Sequence, residues 1–136
     1  MLLRPPKIIK RLISPAIWTM EGADDVYLTF DDGPTPGITE WVLDTLDRYD
    51  AKATFFCLGR NVERHPELLQ EILRRGHKAG NHTYSHIKGW KTNNDKYFED
   101  IDFAEGFIGG GLFRPPYGQI KPSQAHELGK RYKIIM

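Results

Sequence analysis

Cysteine is almost absent from this chain, since Cys57 is the only one among 136 residues. A single thiol excludes an internal disulfide, so the fold does not depend on an oxidising compartment. Cys57 follows Phe55 and Phe56 in a run typical of a strand. This position predicts a buried, unreactive thiol rather than a nucleophile.

Long apolar runs are absent as well. No stretch stays apolar over the ~20 residues that a membrane-spanning helix needs, and the N-terminal region lacks the apolar core of a signal peptide. We therefore expect neither a membrane span nor a cleaved signal peptide. This pattern favours a cytoplasmic or membrane-peripheral location.

Neither sign of charge dominates the whole chain, whose net charge is +1. Such a balance gives no strong field for a polyanion, so we expect no nucleic-acid partner. The first 20 residues nevertheless hold no acid, and they carry Arg4, Lys7, Lys10 and Arg11. Two interpretations stay open: residues 1–20 contact a membrane surface as a short amphipathic segment, or residues 1–23 form a basic arm packed on the domain.

From residue 24 onwards, apolar runs alternate with helical periodicities. Strands are predicted at residues 26–30, 51–58, 77–81, 112–114 and 133–136, the first of them buried. Helices are predicted over residues 38–49, from Pro66 to just before Gly76, after a cap at Asn94 or Asp95, and from Pro122. This alternation predicts an α/β fold with a parallel sheet. Because the last apolar run leaves a sheet edge open, we expect an incomplete unit, for which self-association is one possible cover.

Two adjacent acids, Asp31 and Asp32, follow the first predicted strand, and Gly33 and Pro34 then turn the chain. The carboxyl end of a parallel strand is where α/β proteins place their chemistry. Adjacent carboxylates resist joint ionisation unless a positive group shares the site. The pair therefore indicates a metal, an arginine, or both.

Two further segments carry groups suited to such a site. His82 and His86 follow the third predicted strand, at a spacing that lets both reach one metal, although a polar surface turn has the same pattern. Arg114 precedes two prolines, Tyr117 and Gly118. The prolines stiffen this loop, which favours either a fixed oxyanion donor or a rigid surface turn of polyproline character.

Together, residues 29–34, 82–86 and 114–118 resemble the three motifs of the polysaccharide deacetylase family, the NodB homology domain of the carbohydrate esterases. The resemblance covers residues 24–136, with the motifs in the family's order. It implies a distorted (β/α) barrel, of which this chain is the N-terminal, incomplete part. It also implies a metal-dependent hydrolase that removes N-acetyl or O-acetyl groups from an acetylated carbohydrate.

The resemblance implies that Asp32, His82 and His86 bind a divalent metal, with zinc as the first expectation. The ligand types also suit cobalt, nickel or iron, so the metal's identity stays open. By the same resemblance Asp31 is the general base, and Arg114 pairs with it and orients it. The backbone N–H of Tyr117 resembles the family's oxyanion donor.

Two later motifs of the family are not found in this sequence: an Asp-Trp segment, and a Leu-x-x-His segment whose histidine is the general acid. His126 does not match the second motif, and we expect it to be an exposed helix residue. The missing acid keeps a second interpretation open, a non-catalytic module that binds metal or carbohydrate. An amidase acting on a small non-sugar substrate is a third.

Three aromatic residues near these motifs are candidates for stacking on sugar rings: Tyr84, Trp90 and Tyr117. For Trp90, packing in the core is an equally open interpretation.

Overall fold

The computed structural model describes residues 6–20 and 25–136. Its strands are β1 (Leu28–Asp31), β2 (Ala53–Cys57), β3 (Lys78–Asn81), β4 (Leu112–Phe113) and β5 (Lys133–Ile134). Its α-helices are α1 (Lys7–Leu12), α2 (Ile38–Arg48), α3 (Gly59–Arg64), α4 (Pro66–Arg74), α5 (Asn94–Ile108) and α6 (Pro122–Leu128). Short 3₁₀ turns cover Gly89–Lys91 and Pro116–Gly118.

The five strands form one parallel sheet in the order β1-β2-β3-β4-β5. Helices connect successive strands, as parallel pairing requires. The predicted α/β fold with a parallel sheet is therefore confirmed. All strands end at the same edge of the sheet, so whatever follows them gathers there.

The apolar side chains form two buried clusters that meet at α5. Ala104 and Ile108 of α5 join the cluster beneath β2 and β3, whereas Tyr97 and Ile101 join the cluster around β4 and β5. Helix α5 therefore packs against both clusters. Cys57 is fully buried, and burial raises the pKa of its thiol to about 12, in agreement with the inert role predicted for it.

The prediction that the first strand is buried is wrong. Strand β1 begins two residues later than predicted, and Val26 and Leu28 are 86% and 40% exposed. In the described sheet, β1 is an edge strand with only β2 beside it. An apolar, β-branched run marks a strand but does not say on how many sides the strand is covered.

Other sequence predictions differ from the structure in where helices lie, where one is capped and which face of one is buried. Helix α3 was not expected, because six residues beginning at a glycine carry too little periodicity to signal a helix. Helix α5 is capped by Asn93, whose side chain accepts a hydrogen bond from Lys96 N–H at 2.9 Å, one residue before the predicted caps. The helical spacing of Ile38 and Trp41 helped to predict α2, yet both are exposed, and Thr39 and Leu43 face inward instead.

The N-terminal segment packs against the far edge of the sheet. Ile13 lies in the cluster around β4 and β5, and Ile17 pairs with Ile135 in parallel. Ile17 N–H donates to the Ile134 carbonyl at 2.7 Å, and Met136 N–H donates to the Ile17 carbonyl at 3.0 Å. This contact occupies part of the edge that was expected to be open, because unpaired backbone groups there gain partners.

The boundary of the predicted arm, residues 1–23, lies partly outside the described residues and stays a prediction. None of the residues of α1 is buried, so its basic and apolar side chains remain available to a surface. Contact with a membrane, self-association across the sheet edge and the location in the cell all stay predictions. Among the described helices, none is both long and apolar enough to cross a bilayer.

The packing of Ile13 gives a stability prediction. Ile13 is 7% exposed and its neighbour Leu12 is 59% exposed. Ile13→Ala should lower the free energy of unfolding by about 2–5 kcal/mol, because it removes buried methylene groups and leaves a cavity. Leu12→Ala is the matched control and should change it by less than about 0.5 kcal/mol. Equal effects in urea denaturation would show that the segment does not pack as described.

Candidate active site

Three strand ends bring the motifs together. Asp31 is the last residue of β1, Asn81 the last of β3 and Phe113 the last of β4, so Asp32, His82 and Arg114 follow directly. The register aligns Asp31 with Phe56, Cys57 with Asn81, and Asn81 with Phe113. The residues predicted from separate motifs therefore share one edge of the sheet.

Asp32, His82 and His86 form a cluster suited to a metal ion. One ligand atom from each residue lies within 4.8 Å of the others. The Nε2 atoms of His82 and His86 are 3.4 and 3.1 Å from Asp32 Oδ1. Metal–ligand bonds of about 2.0–2.1 Å in a tetrahedral zinc site require ligand atoms about 3.3 Å apart. The distances from Asp32 Oδ1 to the two imidazole nitrogens fit that requirement.

Hydrogen bonding and burial prepare His82 to act as a ligand. Its Nδ1 atom lies 2.7 Å from the carbonyl oxygen of Arg114, which can only accept, so Nδ1 carries the hydrogen. The lone pair is then on Nε2, which faces Asp32. His82 is 3% exposed, and desolvation lowers the pKa of its imidazole, which favours the neutral form that binds metals.

Asp31 has a different partner. Arg114 Nη1 donates to Asp31 Oδ1 at 2.9 Å and to Thr29 Oγ1 at 2.8 Å. The guanidinium also lies over the Phe56 ring, with Cζ 4.3 Å from the ring centroid. A carboxylate that accepts from a fixed guanidinium is held in one orientation. The structure thus brings Arg114 and Asp31 into contact, while the base role of Asp31 stays a prediction.

Glycine at position 80 makes room for this arrangement. A Cβ atom there would lie 2.7 Å from the Phe56 ring. The ring supports the guanidinium of Arg114 from below. Gly80, within the sheet, thus leaves the room that Phe56 needs to support Arg114 at the sheet edge.

The proline-rich loop places Tyr117 next to the histidines. Tyr117 adopts φ 60° and ψ 10° within the turn Pro116–Gly118, and its ring centroid is 4.6 Å from that of His86. Lys88 Nζ lies 4.7 Å from the centroid of the same ring. The loop is therefore part of the site, while the oxyanion role of the Tyr117 N–H stays a prediction.

The other two aromatic candidates, Trp90 and Tyr84, have different surroundings. Trp90 is exposed, with Nε1 donating to the Ile120 carbonyl at 3.1 Å, so its ring is held in place and open to solvent. Tyr84 packs against Phe103, with ring centroids 4.6 Å apart. Phe103 therefore covers part of the Tyr84 ring, while the stacking role of Tyr84 stays a prediction.

Sequence reasoning missed several residues that support the site. Thr29 shares Arg114 with Asp31, and Asn61 donates to the Asp32 carbonyl at 2.8 Å. Asp100 accepts hydrogen bonds from the loop that carries the histidines. Thr29 stands within the quoted motif, so proximity could have indicated it. Nothing in the local sequence marks Asn61 or Asp100, because their partners are distant along the chain.

Chemically, the site combines three metal-type ligands with a second carboxylate, that of Asp31, one residue away from Asp32. The three ligands leave coordination positions open, as in catalytic rather than structural zinc sites. His126, by contrast, is exposed on α6, as expected.

Comparison with known proteins gives three concordant results. The sequence profile of the polysaccharide deacetylases matches residues 20–133. A peptidoglycan-N-acetylglucosamine deacetylase of Bacillus cereus is 42% identical over 106 residues, covering 74% of this chain and 38% of the relative. The deacetylase PgdA of Listeria monocytogenes, of the same description, is 39% identical over 110 residues, covering 76% of this chain and 24% of the relative.

Among solved structures, the Bc1960 peptidoglycan N-acetylglucosamine deacetylase superimposes with a TM-score of 0.76 and 39% identity. The match covers 82% of this chain and 55% of that one. This similarity confirms the predicted fold, the parallel α/β part of a distorted (β/α) barrel. The chain spans less than half the length of the curated relatives described here.

Proposed function

Because the chain belongs to the polysaccharide deacetylase family, we propose that it carries the metal-binding and base-bearing part of a hydrolase that removes N-acetyl groups from a peptidoglycan-type glycan. The relatives' names supply the substrate class. The activity is proposed for the whole protein, since the chain covers only part of those relatives.

One observation carries the proposal: two adjacent carboxylates have separate partners. Asp32 lies against His82 and His86, while Asp31 lies against Arg114. A structural metal site would need only the first group. A base beside open metal positions is what the hydrolysis of an amide requires.

In this proposal Asp32, His82 and His86 hold a divalent metal, with zinc as the first candidate. A metal bound there would act as a Lewis acid and lower the pKa of a bound water from about 15.7 towards about 7. Asp31 accepts the proton of the attacking water, and Arg114 keeps the carboxylate in place. The N–H of Tyr117 donates to the developing oxyanion.

The leaving amine needs a proton from a general acid. We assign that role to none of the 136 residues, because the sequence lacks the Leu-x-x-His motif. Loss of a general acid typically costs about 100- to 10,000-fold in rate. The isolated chain should therefore be slow even when it holds metal. Metal binding with no acetate release from an acetylated glycan would instead support the non-catalytic module.

The base and ligand roles make opposite predictions for neighbouring residues. Asp32→Ala should remove most zinc binding, because one of three ligands is lost. Asp31→Asn should retain zinc within a few-fold and abolish zinc-dependent acetate release, because an amide cannot accept the proton. Elemental analysis and an acetate assay on both variants test this pair. Undiminished turnover in Asp31→Asn would contradict the base role.

Lys88 gives a prediction about the substrate. Its ammonium is held at the Tyr117 ring, beside the metal cluster, and is exposed. Peptidoglycan fragments carry carboxylates, whereas acetylated chito-oligosaccharides are neutral. Lys88→Gln should lower kcat/KM for an acidic peptidoglycan fragment by about 2- to 5-fold, as expected for an exposed ion pair, and leave a neutral chitotetraose unchanged.

The exposed Lys91, in the adjacent turn Gly89–Lys91, provides the matched control. Lys91→Gln removes the same charge without touching Tyr117 and should alter neither substrate's kcat/KM. An equal change for acidic and neutral substrates in Lys88→Gln would argue against a charge contact.

A further inference from the structure

The loop between His82 and His86 adopts an unfavourable backbone conformation. Thr83 has φ 67° and His86 has φ 62°, in the left-handed region that non-glycine residues rarely occupy. A non-glycine residue in this region is strained and persists only where the surroundings hold it. Contacts from outside the loop must therefore hold this conformation. The conformation matters because the loop positions two of the three proposed ligands, His82 and His86.

Side chains satisfy the four backbone N–H groups that follow His82. Asn81 Oδ1 accepts from Thr83 N–H at 2.8 Å, and Thr83 Oγ1 accepts from His86 N–H at 3.0 Å. Thr83 lies within the loop, and Asn81 is the last residue of β3, directly before it. The remaining two N–H groups, those of Tyr84 and Ser85, depend on another element.

That element is α5, through Asp100. Asp100 Oδ2 accepts from Tyr84 N–H at 2.8 Å and from Ser85 N–H at 3.0 Å. Asp100 Oδ1 accepts a short hydrogen bond from the Ser85 hydroxyl. A carboxylate that receives three such bonds is a strong acceptor, because charge-assisted hydrogen bonds are about twice as strong as neutral ones.

Helix α5 is a firm support for this contact. Tyr97, Ile101 and Ala104, on the same helix, are fully buried. Asp100 is consequently attached to the core, and the loop is attached to Asp100. Asn81, at the start of the loop, also donates to the Ile101 carbonyl at 3.0 Å.

We infer that Asp100 is a positioning residue for the metal site, which fixes the His82–His86 loop in the geometry that binds the ion. The inference rests on the proposed metal site and not on deacetylase activity. Asp100 does not touch the ligand atoms; it acts through the backbone between them. Outer groups of this kind typically change metal affinity by about 10- to 100-fold.

Zinc affinity of the purified chain, measured by competition with a chromophoric chelator, tests this inference. Asp100→Ala removes all three acceptor contacts and should weaken zinc binding by about 10- to 100-fold. Asp100→Asn keeps the shape but offers a neutral acceptor, so the loss should be smaller. Ser85→Ala removes only the hydroxyl contact and should also have a smaller effect than Asp100→Ala.

Asp102→Ala is the matched control. Asp102 lies on the same helix and pairs with Arg131 at the surface, 2.7 Å away. Both alanine variants delete one carboxylate from α5, so a general effect of charge or helix stability would affect them equally. We expect Asp102→Ala to bind zinc as the wild type does.

The increase in Tm produced by saturating zinc is a second readout. It should shrink in Asp100→Ala and Asp100→Asn but not in Asp102→Ala, whereas a purely structural role would lower the Tm of the metal-free protein alone.

Equal zinc affinities in Asp100→Ala and Asp102→Ala would overturn the inference. If Asp100→Ala does not fold, wild-type zinc affinity in Asp100→Asn and Ser85→Ala would overturn it. A wild-type chain that binds no zinc would overturn the proposed metal site itself.

Discussion

Two neighbouring carboxylates share one site, and adjacent carboxylates resist joint ionisation unless positive groups lie close to them. The rest of the site is organised around that constraint. Asp31 and Asp32 are adjacent in the chain, so they cannot move apart. The structure directs them to different partners: Arg114 binds Asp31, and the histidines face Asp32. Each carboxylate therefore has its own partners, and we propose a different task for each: proton transfer for Asp31 and metal binding for Asp32.

Both partners depend on supports beneath the sheet edge. Arg114 rests on the Phe56 ring, which has room only because position 80 is glycine. The histidine loop is held by Asp100 on α5, a helix whose other side chains join both core clusters. The chemistry at the edge is therefore connected to the packing of the core. A substitution in the sheet or in α5 reaches the site without touching a ligand.

Sequence periodicity predicted the element types better than their surroundings. Pro66 opens α4 and Gly76 follows its end, because these residues restrict or permit backbone angles locally. The exposure of β1 and the pairing of Ile17 with Ile135 were not predictable. Both depend on which elements become neighbours, and hydrophobic patterns carry no information about that.

The sequence by itself determined which groups are candidates for the chemistry: two acids, two histidines and an arginine, each in a short contiguous motif whose residue types suit a metal and a base. It also determined that they follow strands, and so that they share an edge. Only the tertiary structure decided the tautomer of His82, the support of Arg114 by Phe56 and the hydrogen bonding of the histidine loop to Asp100. These are contacts between residues from 15 to 58 positions apart, and they exist only once the core has packed.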